Sequence, residues 1–133
     1  MQVDWPVEFD VWLADLERKA KEGRQDAKRL LALVLAELKY LQDLKEPPAR
    51  DSERATLKWV RQSGRYPLWR VSHPYRKGIA VRLICWFPPG EDRVVVTLFA
   101  ADKARMGDVF YNSVAGRADG LIDQWKREVG RQP

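Results

Sequence analysis

Between residues 51 and 82 the chain carries eight Lys or Arg and two Asp or Glu, a net of +6 in a 133-residue protein whose total is +5. Lys58, Arg61, Arg65, Arg70, Arg76, Lys77 and Arg82 are interleaved with Trp59, Tyr66, Trp69 and Tyr75. Cations of this kind bind phosphates, and the rings beside them can stack on bases. The competing reading is a solvated sheet surface on which Lys and Arg lay their stems over apolar neighbours. So few acids among so many bases favours a polyanionic partner. The single histidine, His73, sits beside Pro74 in the same segment, either as a solvated turn residue or as a general acid or base near phosphate.

A second cluster, Asp102, Lys103, Arg105, Gly107, Asp108, Phe110 and Tyr111, follows the last predicted strand. RNA can be cut without metal when its own 2′-OH attacks the adjacent phosphate, if a base takes the proton and cations stabilise the crowded phosphorane. Lys103 and Arg105 supply charge. Tyr111 can join the proton transfer only where cations favour its phenolate, and otherwise reads as a helix residue with a half-buried ring.

Other chemistries lack their motifs. There is no GxxxxGK[ST] or GxGxxG loop, no HExxH, CxxC or GxSxG. One cysteine and one histidine cannot build a metal cluster, so neither metal nor cofactor is expected. Cys85, between Ile84 and Trp86, reads as a buried, inert thiol. Asp4, Asp10 and Asp15 read as caps or solvated positions. The longest mainly apolar stretch, Leu30 to Leu38, is interrupted by Glu37 and too short to span a bilayer. Met1 to Asp10 has acids and no basic n-region, unlike a secretory signal. The expectation is a cytoplasmic protein with no membrane partner.

The elements that must position these residues follow from periodicity. Gln2 to Trp5 predicts a short strand, and Pro6 suits the start of a helix. Phe9, Trp12, Leu13 and Leu16 carry that helix to Gly23, with Arg18, Lys19 and Lys21 in its last turn. A second helix is predicted from about Gln25 to Leu44 on the stripe Leu30, Leu31, Val34, Leu38 and Leu41, so the two form an antiparallel hairpin. Pro47 and Pro48 stop it, and a polar segment leads to the short run Ala55 to Gln62. Alternation begins only after Ser63-Gly64, giving strands at Leu68 to His73, Gly78 to Phe87 and Arg93 to Ala100, the last two joined through Pro88 to Asp92. In the middle strand Arg82, Ile84 and Trp86 face opposite to Leu83, Cys85 and Phe87. Gly107 to Glu128 closes the chain as a helix capped by Asp108, with Phe110, Val114, Leu121, Ile122 and Trp125 as its stripe. One α+β domain over 1–133 is expected, a helix hairpin covering one face of an antiparallel sheet and the other face left for function.

These residues resemble the RelE/HigB-like toxins of bacterial type II toxin–antitoxin systems, within the RelE/ParE superfamily. The likeness covers most of the chain: "LKWVRQSGRYPLWRV" is similar to the segment entering that family's L-(W/K)-E-L-R-type strand, "IAVRLICWF" to its Y-R-(V/I)-L-(Y/F)-type strand. "RVVVTLFAADKARMGDVFYNSVAGRADGLIDQW" is similar to a strand that ends in a basic turn before the final helix. The resemblance implies a RelE-like fold and a cytoplasmic toxin that cleaves mRNA on the ribosome and is held inactive by a co-encoded antitoxin, of helix-turn-helix type. By position, Arg82 matches the central-strand arginine, Lys103 and Arg105 the loop after the last strand, and Tyr111 the tyrosine near the final helix. Arg70 lies where the preceding strand often carries a base, and His73 where some HigB members use a histidine. The turn "ADKARMGD" departs from a KKTxKTP form, and Trp69-Arg70 replaces a glutamate-arginine pair. A ParE-like gyrase inhibitor and a non-catalytic nucleic-acid or partner-binding module are the alternatives.

Overall fold

The computed structural model describes residues 1–49, 57–60, 64–72, 82–100 and 103–130, with Ser72, 98–100 and 103–114 described by their backbone. Three helices and a five-stranded mixed sheet make up the described fold. In chain order they are β1 (Gln2–Asp4), α1 (Val7–Lys21), α2 (Gln25–Gln42), β2 (Leu57–Val60), β3 (Leu68–Ser72), β4 (Arg82–Trp86), β5 (Arg93–Ala100) and α3 (Lys103–Gly130). The strand order is β1-β5-β4-β3-β2. β1 runs parallel to β5 and every other pairing is antiparallel.

The helix hairpin forms where periodicity places it. Pro6 precedes α1 in extended conformation, and its carbonyl accepts the Phe9 N–H at 3.1 Å. Gly23, at φ +91°, makes the reversal that a side-chain-bearing residue resists, and its N–H closes on the Ala20 carbonyl at 3.1 Å. Phe9, Leu13 and Leu16 of α1 and Val34, Leu38 and Leu41 of α2 pack on Leu57, Trp69, Val71, Leu83, Cys85, Val94 and Val96 of the sheet.

Four expectations are corrected. The sheet is mixed and not antiparallel throughout, because β1 runs parallel to β5. The alternating period starts earlier than Ser63-Gly64: residues 57–60 form edge strand β2, in register with β3 from Leu57↔Val71 to Val60↔Leu68. Four residues suffice for a strand but are too few for an alternation to stand out against its surroundings. The final helix begins at Lys103, so Asp108 lies inside it and is not its cap. The second sheet face is not left open, because Ala118, Ile122 and Trp125 of α3 cover Val60, Leu68, Ile84, Trp86 and Val95. Of the predicted middle strand, 82–86 is described as β4, and 78–81 lie outside the described residues.

A bulge adjusts the central pairing. Ile84 is opposite Leu98 and Cys85 opposite Val96, leaving Thr97 as the extra residue on β5. Its buried hydroxyl donates to the Ile84 carbonyl at 3.0 Å, which keeps that polar pair satisfied inside the sheet. β1 and α3 are joined by Asp4, whose Oδ2 accepts the Trp125 indole N–H at 3.0 Å while Oδ1 accepts the Trp5 N–H at 2.9 Å.

Since Ile122 is fully buried between α3 and the sheet, Ile122→Ala is expected to cost about 2–5 kcal/mol. Denaturant melts at matched conditions measure this. A loss below about 0.5 kcal/mol, as for a surface site, would contradict the second covered face.

Candidate functional site

On the face that α3 covers, the residues of β2, β3 and β4 change from apolar to basic along the strands. Val60, Leu68 and Trp86 lie under the helix. One alternation further along β2 and β3 stand Lys58 and Arg70, which are opposite each other. Arg70 is in turn opposite Ile84, and Ser72 is opposite Arg82. Directly opposite residues are roughly 5 Å apart and diagonal ones roughly 7–8 Å, so Lys58, Arg70 and Arg82 form one contiguous basic corner. Lys58 is exposed, and Arg70 and Arg82 are half-buried.

β5 brings the next group to this corner. Ala100 pairs with Arg82, and α3 starts at Lys103. The helical repeat places positions 103, 107 and 111 on one stripe, at i, i+4 and i+8, and position 105 on a different side of the first turn. Lys103 and Tyr111 are therefore companions along α3, and Arg105 is not on their stripe. A loop leaves such azimuths open and a helix fixes them. His73, Tyr75, Arg76, Lys77 and Arg61 lie outside the described residues.

Two of the residues expected to meet RNA are otherwise engaged. Trp69 is 4% exposed, packed on the hairpin side of the sheet with its ring edge-on to Trp59 at 5.3 Å. It therefore cannot stack on a base. Arg65 forms ion pairs with Asp119 and Asp123 of α3, and its backbone N–H donates to Asp119 Oδ2 at 3.0 Å. Its charge is answered within the chain.

Around Arg65 lies a network that sequence reasoning missed. The Tyr66 hydroxyl donates to Asp123 Oδ1 at 2.6 Å and accepts from Lys126 Nζ at 2.9 Å. That ammonium also stands 4.5 Å from the Tyr66 ring centroid and 5.4 Å from that of Trp86. The signal was the spacing Asp119, Asp123, Lys126, at i, i+4 and i+7, which aligns two acids and a base on one flank of a helix. The Tyr66 hydroxyl, then the Arg65 guanidinium, hold the Asp123 carboxyl below its ordinary value.

Other candidates resolve more simply. Burial, aided by the negative charge of Glu37, pushes the Cys85 thiol far above its ordinary range, so it stays protonated and inert. Asp10 accepts the Trp5 indole N–H at 3.2 Å, and Asp15 pairs with Arg18 at 2.7 Å and Lys19 at 2.9 Å. Among the described residues no group of three or more His, Cys, Asp or Glu could hold a metal ion. No helix among them is long and apolar enough to cross a membrane.

A Cβ added at Gly64 would lie 2.5 Å from Asp119 Oδ2, the atom that accepts the Arg65 N–H. Gly64→Ala is therefore expected to displace that carboxylate and lower the melting temperature by several degrees, as about 1 kcal/mol does in a domain of this size; an unchanged melt would contradict the close approach. The lowered Asp123 carboxyl implies stability that is complete above the unfolded value of about 3.9 and lost as pH falls through the lower folded value. Between about pH 5 and pH 2, wild type should lose more stability than Asp123→Asn, and parallel acid melts would refute the linkage. No protein-family profile matches this chain, and no curated protein or solved structure does either.

Proposed function

We propose that this protein is a RelE/HigB-like toxin that binds mRNA at the Lys58, Arg70 and Arg82 corner and cleaves it, stopping translation. The observation that carries the reading is the convergence of three basic positions from three strands on the end of the sheet where α3 begins. In this reaction the 2′-oxygen forms a bond to phosphorus as the bond to the 5′-oxygen breaks, leaving a 2′,3′-cyclic phosphate and a 5′-hydroxyl. Arg82 stabilises the phosphorane, and Lys103 holds the phosphate or the 2′-OH. Tyr111 or His73 takes the 2′-OH proton and the leaving oxygen gains one. No cofactor is required. The resemblance adds ribosome dependence, a cytoplasmic setting and a helix-turn-helix antitoxin as partner.

A second reading, a non-catalytic nucleic-acid-binding module, is favoured by α3 lying over the face on which the basic corner sits.

Induction of the wild-type chain is expected to produce new 5′ ends in cellular mRNA, mapped by primer extension, and Arg82→Ala is expected to abolish them. Intact mRNA with retained RNA binding would support the second reading and overturn the nuclease. In either case Lys58→Ala should reduce the slope of log affinity against log salt by about 1, and an unchanged slope would remove Lys58 from the interface.

A further inference from the structure

The basic corner and the start of α3 can act together only if α3 is fixed in position and in rotation about its own axis. The buried stripe Ala118, Ile122 and Trp125 turns one face of α3 to the sheet, and directional polar contacts sharpen that rotation. Within the stripe Asp4 accepts the Trp125 indole N–H at 3.0 Å. On one flank Asp119 and Asp123 take the Arg65 backbone and guanidinium and the Tyr66 hydroxyl.

We propose that the turn Gly64 to Tyr66 is a positioning clamp: through Asp119, Asp123 and Lys126 it sets the rotation of α3, and so the placement of Lys103 and Tyr111 against Arg82. This inference rests on the nuclease reading for its consequence, though not for its geometry. The turn connects β2 to β3, the two strands that supply Lys58 and Arg70. One short segment thus ties the strands of the corner to the helix that begins beside it. The approach is tight, since Gly64 leaves no room for a Cβ against Asp119. The clamp is also charge-balanced, with Arg65 and Lys126 facing Asp119 and Asp123, so it adds no net charge beside the basic corner. The helical hydrogen bonds transmit a rotation at 119–126 toward 103–111, through a centre that Gly116 and Gly120 soften. Arg65, Tyr66, Asp119 and Asp123 are positioning residues here, and none is placed on the RNA.

The test uses the full chain with nitroxide labels at Ala36→Cys and Gly116→Cys, both exposed sites on α2 and α3, while the buried Cys85 stays unlabelled. Wild type is expected to give one narrow inter-label distance distribution. Arg65→Ala and Asp123→Ala should shift or broaden it, and the double variant should broaden it less than the sum of the two single changes, as a double-mutant cycle requires of a direct pair. On RNA the single variants should bind within about twofold of wild type and cut at least ~10-fold more slowly, since small misplacements of reacting groups carry losses of that order. The double variant should lose less cutting than the product of the two single losses. If Arg65→Ala does not fold, Arg65→Lys, which keeps the charge but not the fork of donors, is expected to show an intermediate width and rate. Unchanged distance distributions in the single variants overturn the clamp. Single variants that cut at the wild-type rate overturn its positioning role. A wild-type chain that leaves RNA intact overturns the nuclease reading and leaves the distance measurement to decide the clamp.

Discussion

The architecture depends on central strands that are apolar on both faces. Leu83, Ile84 and Cys85 of β4, and Val94, Val95 and Val96 of β5, are each fully buried. Consecutive residues of a strand point to opposite faces, so such a run needs cover on both. The α1–α2 hairpin supplies one layer and α3 the other. From this the position of α3 follows, with Ala118, Ile122 and Trp125 over the apolar part of that face.

The same constraint divides the basic segment. Seven cations counted along 58–82 suggest one continuous patch, yet alternation and turn geometry send the four described ones, Lys58, Arg65, Arg70 and Arg82, to different places. Lys58, Arg70 and Arg82 share the α3 side of the sheet through strand register. Arg65 turns toward the carboxylates of α3. The ring of Trp69, beside Arg70 in sequence, belongs to the opposite face and the hairpin core. Strand pairing thus gathers Lys58, Arg70 and Arg82 into one corner and leaves Arg65 out of it.

Much of this was legible in the residues. The hairpin was readable because Phe9, Leu13, Leu16 and Val34, Leu38, Leu41 repeat at helical spacing over long windows, and the face of Arg82 was readable because alternation in β4 is unbroken. β2 was hidden by its brevity, its apolar ends Leu57 and Val60 lying three apart as they would in a helix. The cover provided by α3 was hidden for another reason: a stripe of Ala118, Ile122 and Trp125 announces a buried face but not the surface that buries it. The clamp was hidden because its partners, Arg65 and Asp123, are far apart in sequence and meet only once β2, β3 and α3 are assembled. Arg82 pairs with Ala100, three residues before α3 begins, and the helical repeat separates position 105 from position 103.

The contact of Asp4 with the Trp125 indole joins residues 121 positions apart, and β1 pairs with β5, not with its neighbour in sequence. Local contacts form readily and distant ones must wait for loop closure. On the ribosome, the helical hairpin can therefore form while the strand before it remains without its neighbour, and the basic corner acquires its helix only when the C-terminal portion has emerged. Joining of the sheet to α3 is coupled to the last stage of synthesis, so a truncated product would retain a helical hairpin without the second covering layer.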